Sequence, residues 1–191
     1  NTVRSQQQDY RTFVENQPPA NRNLTNPPCN LTQARNQFAM GEMVLPLVES
    51  KPHEMKKLID QFLRLVVAHE VGHALGLEHN FRASTLLKPE ELNNTNITRT
   101  KGMVSSVMDY IPINLAPIGT PQGDYFPVIV GPYDEWAIEY GYQPSTATTT
   151  LGEKPFLQQI ANRQATNPEL SYATDEDVYD LDPTVSMYDL S

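Results

Sequence analysis

The chain has 191 residues, 39% of them hydrophobic, which is enough for one core and one domain, at most one and a half. Its formal charge of −9, from 14 basic and 23 acidic residues, excludes the basic face that a general nucleic-acid binder or an anionic-lipid binder needs. No apolar run approaches the roughly 18 residues of a membrane-spanning helix. The opening NTVRSQQQDY lacks a charged segment followed by an apolar one, so it does not read as a signal peptide. It starts mid-stream in a polar stretch, so the expectation is one domain over 1–191 drawn from a longer precursor, with other domains of that precursor as partners. Cys29 is the single cysteine, cannot form an internal disulfide, and reads as a spectator thiol.

Residues 1–37 are rich in Gln, Asn and Pro and read as mostly loop. The apolar run FAMGEMVLPL, residues 38–47, reads as a strand at a sheet edge, because Pro46 cannot donate to a ladder. Ser50 suits a helix cap and Pro52 a first turn. Apolar residues Met55, Leu58, Ile59, Phe62, Leu63, Leu65, Val66 and Val67 then recur at helical spacing, widening toward His69. Gly72 is read as tolerated inside this helix and Gly76 as its stop, where glycine enters the left-handed conformation cheaply. Residues 80–104 read as loop, and 105–130 alternate short apolar stretches with Pro and Gly. A helix is expected from Pro132, closed by Gly141, and another from Pro155. Trp136 is expected to pack against the domain. Four Asn-x-Ser/Thr triplets, at Asn23, Asn30, Asn93 and Asn96, carry weight only in a eukaryotic secretory context.

Three of the four histidines fall in HEVGHALGLEH, residues 69–79. His69 and His73 stand four apart on a helix, one above the other on the same face, so two imidazoles can reach one metal ion. Zinc takes nitrogen ligands, and catalytic sites use three protein ligands plus a water. A helix continued to residue 79 would carry the third side chain off that face. A turn at Gly76 lets His79 swing back. Glu70 lies about 100° around the helix from His69. From there a carboxylate can accept a proton from a zinc-activated water and pass it to a leaving amine. This pattern points to a zinc-dependent endopeptidase with Glu70 as general base. A structural zinc site needs a fourth protein ligand, and neither Cys29 nor His53 has the spacing.

HExxHxxGxxH resembles the metzincin signature, and SSVMDY, residues 105–110, resembles the clan's Met-turn, 29 residues beyond His79. The resemblance implies that Met108 floors the metal site. It also implies that Tyr110, two residues on, is a fifth ligand or an oxyanion donor, as in the astacin and serralysin branches. With EHNF after the third histidine and GPYDEWAIEYGY downstream, the wording over roughly 38–190 is similar to large bacterial zinc-dependent metalloproteases of mostly undefined role. Those are exported, which implies a secreted or periplasmic location. The implied fold is α+β: a long active-site helix with a reduced or truncated upper sheet in residues 1–79, and a mainly irregular and helical lower part in 80–191. The substrate is then a peptide or protein lying along 38–47, and Ile111 to Ala116 walls a hydrophobic pocket. The acidic tail (Asp175, Glu176, Asp177, Asp180, Asp182) reads as a solvated face, with calcium as the other possibility. Two rival readings remain: a gluzincin that takes Glu90 or Glu91 as third ligand, and a zinc-retaining, catalytically incomplete module that binds protein or glycan.

Overall fold

The computed structural model describes residues 52–177 and, apart from them, Ala39. Within that span the regular structure is helical and no strand occurs. The expected strand at 38–47, the Ser50 cap, Cys29, Asp180 and Asp182 lie outside the described residues. No helix among them is long and apolar enough to cross a membrane.

Helix α1, Pro52–Ala74, is the longest element at 23 residues. It buries Leu58, Gln61, Leu65, His69 and Gly72, which recur every three or four positions and so form one stripe. A second stripe, Leu63, Val67, Val71 and Leu75, is also apolar yet 40–61% exposed. The widening apolar face of the sequence is thus two faces, of which the described residues cover one. The helix ends at a glycine cap. Gly76 has φ +86°, its N–H donates to His73 O, and Leu77 N–H donates to Gly72 O, both at 2.9 Å.

Beyond this turn the chain is mostly irregular, with a 3₁₀ turn at Ala83–Thr85 and a short helix α2, Thr95–Thr98. Helix α3, Pro132–Tyr142, continues through Gly141 rather than stopping there. Gly141 lacks the positive φ of a stop, and Tyr142 is held by its hydroxyl, which donates to Leu75 O at the end of α1 (2.8 Å). Helix α4, Thr150–Ala161, starts five residues before the expected Pro155. Thr149 caps it by accepting from Gly152 N, and Pro155 costs only a bond to the carbonyl of exposed Leu151. Trp136 packs as expected: it is 4% exposed and donates from Nε1 to Ile160 O, joining α3 to α4.

The lower face of α1 is held by a polar knot. Gln61 donates to Asp124 Oδ1 (2.7 Å) and accepts from Tyr125 N (2.7 Å). Arg99 grips Asp124 with two hydrogen bonds, each 2.8 Å. The Arg99 guanidinium holds the buried Asp124 carboxyl below the usual carboxylate range. A carboxyl depressed on folding stabilises the fold above its unfolded value, about 3.9, and that contribution fades as pH falls through the depressed one. Asp124→Asn is therefore expected to lower the melting temperature at pH 7. The gap from the unsubstituted chain should narrow in melts taken below about pH 4. A gap that stays constant with pH would contradict the role given to the charge.

Candidate metal centre

Helix α1 delivers His69 and His73, and the turn at Gly76 returns His79 to them. One ring nitrogen from each lies within 4.8 Å of the others. Ring centroids are 4.8 Å apart for His69 and His73, 4.9 Å for His73 and His79, and 5.3 Å for His69 and His79. Among the described residues this is the one group of three or more potential metal-ligating side chains. Glu90 and Glu91, the gluzincin candidates, are outside it; Glu91 instead accepts from Lys88 N (2.9 Å).

Each imidazole is fixed from behind through Nδ1. His69 meets Val107 O at 2.8 Å, His73 meets Leu77 O at 3.0 Å, and His79 meets Asp175 Oδ2 at 2.9 Å. A carbonyl or carboxylate only accepts, so each Nδ1 carries the hydrogen, and in the neutral ring that leaves the lone pair on Nε2. Nε2 of His69 and of His79 is buried and has no hydrogen-bond partner. A buried polar atom left unpaired costs about 1–3 kcal/mol. Two such atoms in one cluster, both with lone pairs, are the donor set that a zinc ion takes. The residues therefore fit the metal. Burial also pushes the His69 imidazole down to about 4, which keeps it neutral and able to ligate.

Met108 is fully buried beneath the helix. A Cβ added to Gly72, one position before His73, would lie 2.2 Å from Met108 Sδ. Gly72 is thus required by the floor, a stronger role than the tolerance expected of it. The turn carrying Met108 is pinned by Asp134 of α3, whose carboxylate accepts from Ser106 Oγ (2.6 Å), Val107 N (2.9 Å) and Gly131 N (3.0 Å). Gly131 admits this approach, since a Cβ there would fall 2.2 Å from Ser105 backbone atoms. The result is that Val107 O faces His69. Tyr110 packs its ring against His79, with centroids 4.6 Å apart, and stacks on His69 at 5.8 Å. Glu70 is exposed beside the cluster.

Asn80 links these parts. It is fully buried, its N–H donates to Met108 O (3.1 Å), and its side chain bonds Ser171 O and Ala173 N. Asn80, Asp134 and Asp175 carry no motif of their own. EHNF and GPYDEW signal the first two only as wording, and in the sequence Asp175 is one charge of an acidic run. Ile111 and Ile113, expected to wall a pocket, are buried in the core, whereas Leu115 is exposed.

A family model described as Met-zincin matches residues 51–191. The chain belongs to the Met-zincin family. The matched span holds the three histidines, the glycine turn and the Met108 turn, so the family and the geometry concern the same residues. Neither the curated proteins nor the solved structures yielded a match.

The crowding of Gly72 against Met108 gives a signed expectation. Alanine inside a helix normally stabilises by about 0.5–1 kcal/mol relative to glycine. Gly72→Ala should instead destabilise by roughly 1–3 kcal/mol through overpacking, read as a lower midpoint in urea. A midpoint equal to or above that of the unsubstituted chain would contradict the tight floor.

Proposed function

We propose that this Met-zincin chain is a zinc-dependent metalloendopeptidase, with His69, His73 and His79 as the metal ligands and Glu70 as general base. The observation that carries the reading is the pair of buried, unpartnered Nε2 atoms within a cluster whose three Nδ1 atoms are all engaged. When bound there, zinc supplies Lewis acidity toward a carbonyl and lowers the pKa of a coordinated water. The chain's own residues do the rest. The three imidazoles would hold the ion through Nε2, and with no fourth ligand from the cluster a water would complete its shell. Glu70 follows the first ligand on the helix, and its exposure suits it to take a proton from the attacking water and hand it to the leaving amine. Tyr110 is the proposed hydrogen-bond donor to the developing oxyanion, or a further ligand; its ring contacts with His69 and His79 support either role.

The substrate is proposed to be a peptide or protein. The proposed α+β architecture has an upper part in 1–79 and a lower part in 80–191 that meet at His79. The apolar, exposed second face of α1 supports a layer above the helix. A binding module that retained zinc without chemistry would have no use for Glu70 beside the cluster.

The test compares hydrolysis of a quenched-fluorescent peptide mixture by the zinc-loaded chain and by its Glu70→Ala variant, with zinc content measured in both. The expected result is equal zinc and a loss of rate of about 10²-fold or more in the variant. Equal rates, or zinc lost with Glu70, would overturn the assignment.

A further inference from the structure

His69 and His73 rest on backbone carbonyls from the Met108 turn and from the cap of their own helix, whereas His79 rests on a side chain 96 positions away in sequence. That side chain, Asp175, belongs to the segment 171–177, which lies along the chain on both sides of His79. Tyr172 donates its hydroxyl to Glu78 Oε2 (2.8 Å), just before the ligand. Just after it, Phe81 N donates to Ala173 O (2.8 Å), Ala173 N donates to Asn80 Oδ1 (3.3 Å), and Asn80 Nδ2 donates to Ser171 O (3.1 Å). Within this strap Ala173 and Thr174 are buried, and Thr174 N donates to Asp177, closing the turn that carries Asp175. The carboxylate is thereby held by bonds to residues 78, 80 and 81, the immediate neighbours of the imidazole it meets.

We infer that Asp175 is the positioning residue of the third metal ligand, and that the strap 171–177 must dock for the metal site to be complete. The inference rests on the reading of the three histidines as a zinc site. A carboxylate behind His79 fixes its tautomer and ring plane and makes Nε2 a stronger donor, as outer partners of metal-bound histidines do. Whatever aligns His79 through the strap must, by reciprocity, be strengthened when the metal binds.

Zinc affinity, measured by competition with a chromophoric chelator, tests this apart from any catalysis. The variants are Asp175→Ala, the isosteric Asp175→Asn, and His79→Ala as reference. Asp175→Ala should bind zinc roughly 10- to 100-fold more weakly than the unsubstituted chain. Asp175→Asn should fall between the two, because the amide fills the same space and can still accept but carries no charge. A packing role alone would leave Asp175→Asn equal to the unsubstituted chain. Unchanged affinity in both Asp175 variants, with a large loss in His79→Ala, would overturn the positioning role and leave the metal site standing. Unchanged affinity in all three, His79→Ala included, would overturn the metal reading and the inference with it.

Discussion

An imidazole offers a metal only one nitrogen at a time, and which one it offers is decided by what holds the other. In this chain the three Nδ1 atoms are held by Val107 O, Leu77 O and Asp175. Those three acceptors come from the Met108 turn, the cap of α1 and the strap near residue 175. Much of the described fold can be understood as what brings these acceptors to their places. The cap needs Gly76 with its positive φ. The Met108 turn needs the Asp134 carboxylate and the bare backbone of Gly131. The strap needs Asn80, which bonds to it and to Met108 O from a fully buried position.

Two buried carboxylates show how the polar interior is managed. Burial raises the pKa of Asp134, and three hydrogen bonds from Ser106, Val107 and Gly131 work against that rise. Asp109, next to Met108, is pushed up to about 6 by burial, with the Ser84 N–H as its backbone donor (3.2 Å). Both tie the turn under the histidine cluster to segments distant in sequence. Satisfied networks of this kind rigidify a site, and a metal centre whose ligands tolerate little displacement gains from that rigidity.

The histidine segment was legible in the sequence because its logic is local. His69, His73 and the glycine turn lie within one helix and its cap, where spacing alone dictates geometry. The supporting residues were not legible for the opposite reason. Asp134 acts on a turn 27 and 28 positions upstream, and Asp175 acts on His79, 96 positions away. A single aspartate among other acidic residues gives no sign of such a partner. Gly141 and Pro155 look like helix punctuation in the sequence, yet one helix runs through Gly141 and the other starts before Pro155. Tertiary contact from Tyr142 and the Thr149 cap overrode both. The hydrophobic pattern of α1 looks like one widening face in the sequence, because periodicity counts apolar residues without saying which stripe is covered. The expectation of a strand at 38–47, on which the α+β reading rests, concerns residues outside those described.

On the proposed reading, three Nε2 atoms converge on one metal ion. X-ray absorption at the zinc edge, on the chain loaded with one equivalent of zinc, addresses it most directly. The expected result is a stoichiometric ion with three imidazole nitrogens at about 2.0–2.1 Å and a light fourth scatterer that is not protein. A shell containing sulfur, or four protein ligands, or no stoichiometric zinc at all, would contradict it.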